Sequence, residues 1–157
     1  MQLQYVILFL IFSFCSCSHT LLNNQYSSGV PLLIMKRTAC YGTCPQYQVS
    51  IYNNGDVKYE GLNFVEKIGC YSSSISRNKI NNIKDQINNV NFFSLDSVYN
   101  APMTDVPSVI LEVNLDCKSF QVVDRFNGPK GLKEFQKFID LIVNSIMQWN
   151  LCDIPIE

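Results

Sequence analysis

Cys40 and Cys44 bracket a Tyr-Gly-Thr tripeptide in "ACYGTCPQYQV", with Pro45 directly behind them. Three kinds of chemistry use such a pair. A dithiol redox centre favours two intervening residues at a helix N-terminus, where the dipole lowers the thiol pKa. Here three residues intervene and a strand pattern follows. A zinc site needs about four ligands. The single histidine, His19, stands far upstream, so only an all-cysteine set from Cys40, Cys44, Cys70, Cys117 and Cys152 could supply them. The third chemistry is a structural disulfide, which a tight loop permits and an exported chain favours. We read Cys40–Cys44 as that staple, with bridges to Cys70 or Cys152 as the alternative and the connectivity of the five left open. No metal or other cofactor is expected.

The lone histidine also removes the usual base from any Ser-His-Asp or Cys-His arrangement inside the domain, and His19 itself reads as a solvated residue. Paired carboxylates could hydrolyse sugars, and thirteen acids are present. Only Asp105, in "TDVPS", has a distinctive context, and it reads as a turn-former ahead of Pro107. Asp124 and Arg125 adjoin in a strand pattern without a partner the sequence can name. No phosphate-cradling glycine loop, dinucleotide fingerprint or nucleophile elbow occurs. Tyr41, Tyr52, Tyr71, Phe92, Phe93 and Trp149 could crown an exposed groove, against the plainer reading that they are core. Tyr41 and Asp105 are the candidate interaction residues.

The elements that must position these residues begin with an export signal. The apolar run from Tyr5 to Phe14 has the length of a signal-peptide core and is too short to span a bilayer of about 30 Å as a helix, although no Lys or Arg precedes it. Ser16-Cys17 then resembles a bacterial lipoprotein cleavage site, with Phe14 where leucine is usual. The expected organisation is a signal peptide over 1–16, a tether over 17–30 starting at lipid-modified Cys17, and one domain over 31–157. Several acyl chains, at about 0.8 kcal/mol per buried methylene, would hold the chain on the membrane. The expected location is the bacterial cell envelope, at the outer membrane or the periplasmic face, or secreted if the lipid is missing. A net charge of -1, with Lys36-Arg37 the longest basic run, gives no basis for nucleic-acid binding. The asparagines of "NKINNIKDQINNVN" read as compositional bias on solvent-facing positions.

The spacing predicts a strand in "PLLIMKRT" and another in "QYQVSIY", where Tyr47, Val49 and Ile51 share a face. A two-residue Asn-Gly turn after it would mix the faces of the next strand. A three-residue loop of Asn53, Asn54 and Gly55, with Gly55 at positive φ, sets Ile51 opposite Val57, Val49 opposite Tyr59 and Tyr47 opposite Gly61. A further strand is read through "NFVEKIGCY". Ser76 caps a helix with Ile80, Ile83, Ile87 and Val90 on one stripe. A hairpin turning at Asp116-Cys117-Lys118 follows, and Pro129 opens a last helix. Its buried stripe is Leu132, Phe135, Phe138, Ile139, Ile142 and Ile146, with Lys130, Lys133 and Lys137 on the wet face. The expected fold is α+β: a single antiparallel sheet in the order ββββαββα, with two helices packed on one face.

These residues resemble a known family. "RTACYGTCPQYQVSIYNNGDVKYEGLNFVEKIG" is similar to the opening of the DUF6438 domain, with its Cys-x-Gly-x-Cys-Pro motif, tyrosine strand, glycine turn and Tyr-x-Gly: here Cys40, Gly42, Cys44, Pro45, Tyr47, Gly55, Tyr59, Gly61 and Gly69. Phe92, Phe93, Tyr99, Asp105 and Pro107 continue the likeness, which spans residues 32 to 147. Cys70 and Cys117 depart from it, Cys117 standing where a turn glycine is commoner. The resemblance implies a small exported α+β domain and carries no activity. The functional expectation is a non-enzymatic binding module, its partner an envelope protein or polymer and its membrane contact the lipid alone. A variant is an inhibitor of a secreted hydrolase, inserting the stapled "CYGTCP" loop. The rival class is an enzyme, either a thiol oxidoreductase or an acid-dependent hydrolase.

Overall fold

The computed structural model describes residues 29–100, 102–103 and 105–152. The signal segment, Cys17 and His19 lie outside them. Alternating apolar residues make β1 (Leu33–Arg37), β2 (Gln46–Ile51) and β3 (Asp56–Asn63), followed by β4 (Gly69–Ser74) and α1 (Arg77–Asn89). A single 3-10 turn at Phe92–Ser94 leads to β5 (Val98–Tyr99), β6 (Val109–Leu115), β7 (Lys118–Asp124), α2 (Lys130–Asn144) and β8 (Asn150–Leu151). The strands form one sheet in the order β5-β7-β6-β1-β2-β3-β4-β8.

The expected all-antiparallel sheet in the order ββββαββα is incorrect. The sheet has eight strands and is mixed, because β5 runs parallel to β7 with Val98 opposite Val123 and Tyr99 opposite Asp124. Strands β5 and β8 are two residues each, too short for alternation to reveal. They are held by neighbours distant in sequence: Val123 donates to the Ser97 carbonyl and Arg125 to that of Tyr99, each at 2.9 Å, while Cys152 is disulfide-bonded to Cys70. The overall class is α+β.

The β2–β3 register is the one the faces demand. Ile51 opposes Val57, Val49 opposes Tyr59 and Tyr47 opposes Gly61, across a loop in which Gly55 has φ +99°. A side chain could not replace that glycine, since its Cβ would lie 2.6 Å from the Ile75 carbonyl oxygen. "NFVEKIGCY", in contrast, is not one strand. Asn63 ends β3, the chain folds back through Phe64 at φ 53°, and β4 starts at Gly69 at φ 103°. The return path crosses directly over Gly61, where a Cβ would lie 1.8 Å from the Lys67 carbonyl oxygen. The β6–β7 turn needs only Asp116 and Cys117, at φ 51° and 59°, so Lys118 already pairs with Leu115.

Leu33, Met35, Val49, Ile51, Leu111 and Val113 are buried from the sheet, and Ile80, Ile83, Ile87, Leu132, Phe135 and Ile139 meet them from the helices. Each such side chain contributes about 1.5–3 kcal/mol by leaving water. Ser76 caps α1, its hydroxyl accepting from Lys79 N–H. Pro129 is the N-cap of α2 and not its first helical residue. The α2 stripe also takes in Gln136 and Val143, with Phe138 and Ile146 only partly buried.

Candidate functional site

The alternation that turns Leu33 and Met35 into the core turns the next inward position, Arg37, the same way. Leu33 opposes Ile51, Met35 opposes Val49, and Arg37 opposes Tyr47. A guanidinium so placed needs an acceptor. Helix α2 supplies Asp140, one turn beyond Gln136 on the sheet-facing side. Arg37 Nη2 donates to Asp140 Oδ2 at 2.5 Å, and Arg37 Nε donates to Asp140 Oδ1 at 3.3 Å and to the Tyr47 hydroxyl at 3.2 Å. The Tyr47 hydroxyl donates to Asp140 Oδ1. The two charged side chains keep about a quarter of their surface, 26% and 25%.

The electrostatics follow from this closure. Burial raises the Tyr47 pKa well above the ordinary tyrosine value, and the hydrogen bond and charge of Asp140 raise it further, against the opposing pull of Arg37. Burial works against the Arg37 charge, but the hydrogen bond and charge of Asp140, with Tyr47 behind them, outweigh it and raise the guanidinium pKa. Tyr47 therefore keeps its proton and Arg37 its charge. Both oxygens of Asp140 are engaged. The three groups suit an architectural tie better than proton transfer, because a general base needs a lone pair free to reach substrate.

Around the tie lies an open groove of about 680 Å³, walled by Phe64 and Lys67 from the β3–β4 turn, Lys137 and Ile146 from α2 and its exit, Trp149, and Cys44-Pro45. Tyr47 stacks on Tyr59 at 5.4 Å between ring centres, and Trp149 tilts over Tyr59 at 5.6 Å. The Tyr59 pKa is raised by burial, then by Glu66 and Tyr71. Phe64 leaves 54% of its surface exposed. The wall thus combines apolar rings with the exposed Lys137 and with Lys67, whose Nζ lies 3.8 Å from the Glu66 carboxylate.

Cys40 and Cys44 are bridged, with Cα atoms 5.8 Å apart, so their loop forms a stapled border of the groove. The second bridge joins Cys70 to Cys152 across 82 positions of sequence. Tyr41 is 91% exposed on the stapled loop, and its N–H reaches the Asp105 carbonyl at 3.4 Å. The two candidate interaction residues are therefore neighbours, although neither lines the groove. Asp124 is a buried anchor: Lys133 Nζ lies 2.6 Å away, Gln136 Nε2 donates at 2.7 Å and Gly128 N–H at 3.1 Å. Lys133 thus keeps 38% of its side-chain surface on the wet side while its ammonium reaches in to Asp124. Cys117 is exposed on the β6–β7 turn, at the opposite end of the sheet from the groove. Of the six aromatics considered for a groove, only Trp149 lines this one, and Phe92 is fully buried.

Sequence reading missed Arg37, Tyr47 and Asp140 as a group. The available signals were a charge at an inward strand position and an acid beside Ile139 within an apolar helix stripe. Among the described residues no cluster of three or more His, Cys, Asp or Glu could hold a metal ion. No described helix is long and apolar enough to cross a membrane.

No curated protein matches the chain in sequence. The family model of DUF6438, described as a domain of unknown function, matches residues 31–143. That span covers the stapled loop, the bulged hairpin, the Arg37–Tyr47–Asp140 tie and nearly all of α2, and this chain belongs to the DUF6438 family.

Proposed function

We propose that the protein is an envelope domain, lipid-anchored through Cys17 or secreted, that binds another envelope protein or polymer through the groove beside Arg37 and Asp140. The observation that carries this reading is the division of labour in the groove. Its polar centre is closed on itself, while its walls offer Phe64 and Lys137 outward beside the half-buried ring of Trp149. Rings and a cation on a stiff frame are typical of residues that anchor a partner, and a pre-ordered loop lowers the ordering cost of binding. Two disulfides favour an oxidising compartment, in keeping with the signal-like N-terminus and Ser16-Cys17. The expected tether joins β1 at Leu33, whereas the groove lies at the Arg37 end. Five residues of strand, roughly 15 Å, separate the two, so an anchored domain would hold its groove away from the membrane.

Tyr41 favours a second reading. With 91% of its surface exposed on a stapled loop, it has the form of a residue that enters the cleft of a secreted hydrolase. One experiment tests both readings. The mature chain is titrated with purified envelope polymers and proteins of its host, beside the variants Lys137→Glu, Tyr41→Ala and Gln121→Ala. Loss of affinity of about thirtyfold in Lys137→Glu alone, the size of a binding hot spot, supports the groove. Loss in Tyr41→Ala alone supports the loop. Equal affinity in all three variants, or turnover of the bound component, refutes both.

A further inference from the structure

We infer that oxidation of Cys70 and Cys152 builds one wall of this groove by pinning Trp149 against Tyr59. The inference rests on the groove being the binding surface. Helix α2 ends at Asn144, and the chain then crosses to β4 with little apolar hold, since Met147 is 94% exposed and Leu151 71%. Only Ile146 and Trp149 of this segment pack on the core. Strand β8 contributes two pairs, Tyr71 with Leu151 and Ser72 with Asn150. Two hydrogen bonds support them: Cys152 N–H to the Cys70 carbonyl at 3.0 Å, and the Ser73 hydroxyl to the Gln148 carbonyl at 2.7 Å. A two-residue pairing at a sheet edge is marginal in water. The covalent bond three residues beyond Trp149 is what makes it permanent.

The two bridges then serve different walls. Cys40–Cys44 closes a loop of sequence separation 4 and fixes Cys44-Pro45, whereas Cys70–Cys152 spans 82 positions and fixes the segment carrying Trp149. In the dithiol form Trp149 leaves Tyr59, and the stacked rings of Tyr59 and Tyr47 lose their cover. Closing the bridge is thiol–disulfide exchange. Cys70 and Cys152 give up two protons and two electrons, and a disulfide oxidant accepts them and departs as a dithiol. A dithiol reductant reverses the step. The groove is therefore complete only after the chain has met an oxidising compartment.

Trp149 is the single tryptophan of the chain, so its fluorescence reports the wall directly. The mature native chain is compared with Cys70→Ser/Cys152→Ser and with Cys40→Ser/Cys44→Ser by emission maximum and acrylamide quenching. Expected are a red shift and a severalfold rise in quenching for the first variant, and native values for the second. Native emission and quenching in a cooperatively folding Cys70→Ser/Cys152→Ser chain overturn the inference. If that variant does not fold, the native chain is reduced stepwise with a dithiol. A rise in quenching while far-ultraviolet circular dichroism holds supports the inference, and no rise overturns it. Anilinonaphthalene sulfonate, an anionic ring probe, separates the two claims. If Trp149 is released on reduction but the probe binds native and Lys137→Glu chains alike, the clamp stands and the binding role of the groove falls.

Discussion

Asp140→Leu isolates the tie between α2 and the sheet. It leaves the Arg37 guanidinium, 26% exposed, without its carboxylate, and Tyr47 without the acceptor of its hydroxyl. Deleting one partner of a fully buried pair costs about 3–5 kcal/mol. Partial solvent access reduces that to about 2 kcal/mol, and the lost tyrosine bond adds about 1 kcal/mol. Arg37→Met/Asp140→Leu removes the stranded charge together with its partner and fills the space with apolar atoms, so it should cost about 1 kcal/mol or less. The double variant should then be about 2 kcal/mol more stable than Asp140→Leu alone, well above the error of additivity between distant sites. The assay is urea unfolding with both disulfides intact, read as midpoint at constant slope. In a thermal scan the single variant should melt roughly 8–12 °C below the native chain. If Asp140→Leu unfolds at the native midpoint, the carboxylate is not an architectural tie. Asp140 then becomes available for chemistry, and the hydrolase reading returns.

Three further outcomes can be measured on the same material. Because the folded-state pKa of Tyr47 is raised, the stability it contributes is complete below about pH 10, the ordinary tyrosine value, and is lost as pH rises beyond it. Tyr47→Phe should therefore be less stable at neutral pH yet show a shallower fall in urea midpoint from about pH 9 to pH 11; an unchanged alkaline slope contradicts this. Cys117 holds φ 59° in the β6–β7 turn, so Cys117→Gly should raise stability by about 1 kcal/mol, and a lower melting temperature would refute the turn argument. Cys17→Ala should move the protein from the membrane to the soluble fraction with altered gel mobility, and retention on the membrane with native mobility refutes lipidation.

Much of the fold was legible because burial dictated it. The Gly55 loop followed from one physical demand, that Tyr47, Val49 and Ile51 face the same side as their partners, and any other register exposes apolar residues. Strands β5 and β8 were not legible, because two residues show no alternation and their order comes from β7 and from a bridge to Cys70. The false strand through "NFVEKIGCY" failed for a local reason. Its apolar residues Phe64 and Ile68 stay more than half exposed, and the chain reverses beneath them to pass over Gly61. The site was hidden in a different way. Arg37, Tyr47 and Asp140 come from three elements, and each alone reads as a solvated charge or a core ring. The partner of Lys133 was hidden for the same reason, since Asp124 is nine residues earlier on another element. The staple was legible because its whole geometry lies within one short loop.

A site-specific photo-cross-linker tests the binding groove most directly. It is placed at Lys137, on the groove wall, and separately at Gln121, exposed on the outer face of the sheet, and activated in the intact envelope of the host. The predicted result is one discrete cross-linked component from position 137, none from position 121, and loss of the product in Cys70→Ser/Cys152→Ser. Cross-linking from position 121 with none from position 137 would place the working surface elsewhere and contradict the binding role of the groove.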